Sequence, residues 1–88
     1  MPIYKILFSG GFKKDLSKLP LHIRAAVEEK IQIFMEDPFN PRLNTHKLHG
    51  KDEGRWAFSV TYSYRVKFVF FTREIVEFRA IGTHGIYE

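Results

Sequence analysis

Cysteine is absent from all 88 residues, which removes disulfides, thiolate nucleophiles and thiolate metal sites and leaves the redox compartment open. Long apolar runs are absent as well. No segment approaches the roughly 18 apolar residues of a membrane-spanning helix, and the N-terminus lacks a basic region followed by a long apolar stretch and a small-residue cleavage site. A soluble cytoplasmic protein with no membrane partner is therefore expected. No repeat, linker or low-complexity tract divides the chain, so residues 1–88 are expected to form one domain, near the lower size limit for a self-sufficient core. Apolar material is sufficient: 44% of the residues are hydrophobic and nine are phenylalanine.

Charge is present and unevenly spread. Fourteen Lys and Arg against ten Asp and Glu give a formal net charge of +4, which favours a polyanionic partner only modestly, because many small proteins carry as much. Distribution says more. Arg42, Lys47, Lys51 and Arg55, with His46 and His49, face only Asp52 and Glu53 in that stretch, whereas Glu28, Glu29, Glu36 and Asp37 fall together farther upstream. A nucleic acid is expected to meet the basic side.

Residues 2–8 are rich in Ile, Tyr, Leu and Phe and read as a strand, ended by Ser9, Gly10 and Gly11. Phe12, Leu16 and Leu19 then recur at helical spacing, with Ser9 or a neighbouring glycine as the start. Pro20 interrupts and begins a second helix bearing Ile23, Val27, Ile31 and Phe34 on one face; Asp37 before Pro38 closes it. Residues 39–52 have no period and read as a long loop. From Trp56 the period becomes two. Trp56, Phe58 and Val60, then Tyr64, Val66, Phe68 and Phe70, then Val76, Phe78 and Ala80 mark the inner positions of three strands, with turns at Tyr62-Ser63 and at Thr72-Arg73-Glu74. The expected class is α+β, in the order β-α-α-β-β-β, with an antiparallel meander in a four-stranded sheet. Two helices cover one face, and Arg65, Lys67, Glu77 and Arg79 lie on the other.

The candidate chemistry is phosphoryl transfer on RNA. A ribose 2′-hydroxyl supplies the nucleophile, so the protein needs one group to remove its proton, one to protonate the 5′-oxygen, and cations for the charge developing on phosphorus. Histidine suits both proton transfers because its ordinary pKa of about 6.5 permits both states near neutrality. Arginine suits the third task with a planar fork that holds two phosphate oxygens. His84 stands between Gly82-Thr83 and Gly85, where a ring has little packing to do, and is the first candidate. His46 or His49, together with Arg65, completes the set, and the spacing leaves open which histidine is acid and which is base. Lys47, Lys51 and Arg55 read as contacts to an RNA backbone, Lys67 and Arg79 as charges of the open face, and Tyr87 and Tyr64 as stacking candidates, although Tyr64 alternates with Val66 and Phe68 and fits the core edge better. His46, His49 and His84 also permit a three-histidine zinc site, but histidines three apart in a loop are common and no HExxH motif occurs. A cofactor-free reaction is the preferred reading.

The run Leu43-Asn44-Thr45-His46-Lys47-Leu48-His49-Gly50, then Gly54-Arg55-Trp56, Tyr64-Arg65-Val66 and Gly82-Thr83-His84 with Tyr87, resembles the RelE/ParE superfamily of type II toxin–antitoxin toxins. Among its branches the sequence is most similar to the YafQ- and YoeB-like mRNA interferases. The resemblance implies a ribosome-dependent endoribonuclease that cuts mRNA to leave a 2′,3′-cyclic phosphate, and a cognate antitoxin that covers the basic face. It also implies His84 and His46 as proton-transfer residues, Arg65 as the phosphate-stabilising arginine, and Tyr87 near the terminal aromatic position. The sequence departs from the YafQ pattern at Ser59 and Ser63, and Ala80 stands where the final strand has an arginine, with Arg79 one position earlier. The ParE branch, which shares the fold and inhibits DNA gyrase, is the alternative.

Overall fold

A computed structural model describes residues 2–83. The expected site residues His84 and Tyr87 lie outside them. The described chain runs β1 (Lys5–Phe8), α1 (Gly10–Ser17), α2 (Leu21–Glu36), β2 (His46–Lys47), β3 (Trp56–Ser59), β4 (Arg65–Phe70) and β5 (Ile75–Gly82). No helix among the described residues is long and apolar enough to cross a membrane.

Each helix boundary has a local cause. Ser9 caps α1, its hydroxyl oxygen accepting from the Phe12 amide at 3.0 Å. Pro20 is the residue from which α2 departs, and Asp37 ends it in extended conformation ahead of Pro38. The inner face of α2 buries Ile23, Val27 and Phe34. Phe34 is the centre of the core: its ring lies 5.0 Å from those of Phe58 and Phe68 and 5.4 Å from that of Phe78. One ring from a helix thereby ties together β3, β4 and β5.

Among the described residues the sheet has five strands in the order β1-β5-β4-β3-β2, not the expected four. The additional strand, β2, comes from the stretch read as loop. Two residues are too few to show a period, and β2 exists because tertiary contacts hold it against β3. Leu43 is fully buried, Asn44 takes a left-handed backbone (φ 53°), and Thr45 Oγ1 donates to the Pro38 carbonyl at 2.5 Å. Two 3₁₀ turns, Pro41–Leu43 and Gly50–Asp52, organise the remainder. The sheet is also mixed: β1 joins β5 in parallel, with Ile6 beside Val76 and Phe8 beside Phe78, while the other pairings are antiparallel.

A bulge interrupts β5. Phe68 pairs with Phe78, but Lys67 pairs with Ala80, so Arg79 is the extra residue. This corrects the simple alternation expected for that strand, because beyond the bulge Ala80 joins the face of Lys67 and Ile81 turns into the core. The cause is visible on the neighbouring edge. β1 ends at Phe8, leaving the next polar groups of β5 without a strand partner. α1 supplies them: Ser9 Oγ donates to the Arg79 carbonyl at 3.1 Å, and an Asp15 carboxylate oxygen accepts from the Ile81 amide at 3.2 Å.

Ser9→Ala removes both the cap and the bond to the bulge, and is expected to lower stability by about 1–2 kcal/mol in equilibrium denaturation. An unchanged midpoint would show that water replaces the hydroxyl at both ends. Phe34→Ala is expected to cost roughly 3–5 kcal/mol, measured the same way.

Candidate nucleic-acid interface

The face of the sheet away from the helices carries two rows of side chains. Register aligns His46, Ala57, Lys67 and Ala80 across β2, β3, β4 and β5, and one step along it aligns Ser59, Arg65 and Gly82. Alanines flank Lys67 on both sides. With strands about 4.8 Å apart and two residues about 6.6 Å long, the backbones of His46 and Arg65 are roughly 12 Å apart.

Most cations on this surface have acidic partners. Asp52, held in the 3₁₀ turn between Gly50 and Gly54 at positive φ, lies 3.1 Å from Lys67 Nζ and 3.9 Å from Arg55 Nη1. The Lys67 and Asp52 side chains are only 17% and 15% exposed, so this contact is poorly screened. Arg79 pairs with Glu77, although its Nε finds no acceptor at hydrogen-bonding geometry among the described residues, which makes that contact mainly electrostatic.

Arg65 differs. It has no carboxylate partner among the described residues, and its Nη1 donates to the carbonyls of Thr61 and Tyr62 at 2.8 Å and of Tyr64 at 3.2 Å. Carbonyls orient the guanidinium without neutralising it. Because Nη1 does this work, the edge formed by Nε and Nη2 remains the side-on fork suited to two phosphate oxygens. Arg65 also pairs with Gly82, so the chain leaves β5 beside it, and a pocket of about 410 Å³ is lined there by Tyr62, Ser63, Arg65 and Thr83.

The remaining sequence candidates are dispersed. His46 is exposed, and its Nδ1 lies 3.0 Å from the Asn44 carbonyl; a carbonyl only accepts, so the bond requires the proton on Nδ1 and puts the lone pair of a neutral ring on Nε2. Lys47 faces the other way, its ammonium 5.5 Å from the Trp56 ring centre. His49 and Lys51 are exposed at the Gly50–Asp52 turn. Tyr64 packs against the core, as its alternation implied. No three His, Asp or Glu side chains among the described residues converge into a metal-binding group. Sequence reasoning placed Tyr62 in a turn and Asp52 in the basic stretch without anticipating that the first lines the Arg65 pocket and the second pairs with Lys67 and Arg55. The first had a signal, an aromatic residue in a turn otherwise suited to small polar residues. The second had none, because the Asp52 contact to Lys67 spans fifteen residues.

No family model and no curated protein matches this sequence. Solved structures do. The toxin–antitoxin complex RelBE2 from Mycobacterium tuberculosis aligns with a TM-score of 0.78 at 23% identity, over 96% of this chain and 100% of that one. The YoeB/ParE toxin from Agrobacterium tumefaciens aligns at 0.75 and 15% identity, over 91% and 98%. YafQ from E. coli strain BL21(DE3) aligns at 0.69 and 19% identity, over 92% and 93%. The chain has the RelE/ParE-type toxin fold. At these identities the likeness is one of fold, and it extends across the RelE, YoeB/ParE and YafQ groups without singling out one of them.

Within this RelE/ParE-type fold, Asp52 is the group that restrains the basic face. Asp52→Asn is expected to lower stability by about 1–3 kcal/mol, through loss of a charged hydrogen bond to Lys67, and to strengthen binding to heparin or single-stranded RNA, with a steeper salt dependence. Thermal melts and elution across a salt gradient check both. Unchanged elution would mean that Lys67 and Arg55 do not face the polyanion.

Proposed function

We propose that this protein is the toxin of a type II toxin–antitoxin system and acts as a metal-independent, ribosome-dependent mRNA endoribonuclease. The observation that carries the reading is Arg65. It is a cation without an acidic partner among the described residues, oriented by three turn carbonyls and set beside the end of β5, two residues before His84. The RelE/ParE-type fold supports the same reading.

In the proposed reaction the 2′-oxygen forms a bond to phosphorus as the bond from phosphorus to the 5′-oxygen breaks, giving a 2′,3′-cyclic phosphate and a 5′-hydroxyl. A general base takes the 2′-hydroxyl proton, and a general acid delivers one to the departing 5′-oxygen. His84 and His46 are assigned these two roles. The Nδ1 bond of His46 favours Nε2 as its reacting nitrogen, consistent with a base. The Nε/Nη2 edge of Arg65 stabilises charge on the phosphoryl oxygens. His49, Lys47, Lys51, Arg55, Lys67, Arg79 and Tyr87 are assigned to RNA or ribosome contact, with Lys67, Arg55 and Arg79 becoming available as their acidic partners yield to phosphate. The expected partners are the ribosome with its message, and an antitoxin that presents acidic or helical elements to this face.

A second reading, a ParE-like gyrase inhibitor or an inactive protein-binding relative, is favoured by Ser59, Ser63 and Ala80, which replace side chains able to assist proton transfer or bind phosphate. One experiment separates the two. New mRNA 5′ ends are mapped after induction, with and without translation; translation-dependent cuts are expected, whereas DNA damage and gyrase inhibition without cuts would select the second reading. His84→Ala is expected to abolish the cuts, and undiminished cleavage would remove it from the mechanism. Arg65→Lys is expected to lower turnover by roughly 10²- to 10³-fold with little change in ribosome binding; weaker binding at normal turnover would make Arg65 a docking residue.

A further inference from the structure

The β3–β4 turn is braced by side-chain and backbone hydrogen bonds together. Arg65 Nη1 donates to three of its carbonyls, Thr61 Oγ1 accepts from the Ser63 amide at 3.3 Å and the Tyr64 amide at 3.2 Å, and the Val60 and Thr61 amides both donate to the Tyr64 carbonyl. All this fixes a backbone whose tip residue, Tyr62, is 95% exposed and contributes nothing to the core. Tyr62 also lines the pocket that holds Arg65, together with Ser63 and Thr83.

We infer that Tyr62 is a stacking platform for an unpaired nucleobase, and that it holds the nucleotide whose phosphate lies against Arg65. Three observations converge on this. An aromatic face in water loses little on covering a base, since every base offers a π surface. A braced turn presents that face at low entropic cost, because only the side-chain torsions remain to be fixed on binding. The same guanidinium that fixes the turn offers its other edge to phosphate, so the spacing between base platform and phosphate fork is set within one hairpin. Registering the nucleotide this way constrains the line between its 2′-oxygen and the phosphorus under attack. The inference rests on the nuclease reading for its location, and on the exposed ring and adjoining cation for its chemistry.

The test uses the full chain and two probes: ribosomes programmed with a message whose exposed codon carries 2′-O-methyl groups, which block cleavage, and the same message with one abasic residue in that codon. Tyr62→Ala and Tyr62→Leu are expected to weaken binding to the intact probe about tenfold, while Tyr62→Phe and Tyr62→Trp bind like wild type. On the abasic probe the difference between wild type and Tyr62→Ala is expected to vanish at one position of the codon. Tyr62→Leu binding as tightly as Tyr62→Phe, or an equal loss on both probes at every position, would overturn stacking, as would a wild-type protein that binds neither probe. Failure of the nuclease reading alone looks different: wild type then binds the intact probe with the Tyr62 dependence described, yet leaves the unmethylated message uncut, whereas binding to neither probe overturns both.

Discussion

The pairing of β4 with a bulged β5 is the constraint on which the candidate surface depends. Without the extra residue at Arg79, strict alternation would carry Ile81 to the outer face and Gly82 to the inner, and the end of the strand would not arrive opposite Arg65 with the core intact. The bulge survives because α1 answers its displaced polar groups. Ser9 and Asp15 take the carbonyl and amide that β1 is too short to reach, so a helix cap, a strand end and the position of the pocket are one arrangement. Mutations that loosen α1 therefore act on the site without touching it.

Charge on the open face follows from the same economy of space. Lys67, Arg55 and Arg79 are close enough to Asp52 and Glu77 for their fields to be largely compensated, and a face so balanced attracts polyanions less than a count of lysines and arginines implies. Arg65 is held by carbonyl dipoles instead, which direct it while leaving its charge available. Among the described residues this separates a cation held by neutral carbonyls from cations held by carboxylates.

Much of the fold was legible in the residues themselves. Ser9, Pro20 and the Asp37-Pro38 pair fixed the helix limits because capping and proline geometry are local, and the aromatic alternation from Trp56 onward fixed which residues of β3 and β4 face the core. The second 3₁₀ turn and β2 were not legible. Their residues show no period, and what holds them lies far along the chain: β2 pairs with β3, and Asp52 of the turn contacts Lys67 on β4. The candidate site divides the same way. Arg65 and His46 were visible as residue types suited to phosphate and proton transfer, whereas the opposite orientations of His46 and Lys47 emerged only once β2 existed to impose them.

The sequence alone determined the order of the elements other than β2, the apolar faces of the helices and of β3 and β4, and the basic stretch from Arg42 to Arg55, because these depend on neighbours within a few positions of the chain. Tertiary structure decided which cations remain uncompensated and where the last strand ends relative to Arg65. Both depend on pairings across the sheet, between Asp52 and Lys67 and between Arg65 and Gly82, where distance in space is short and distance along the chain is long.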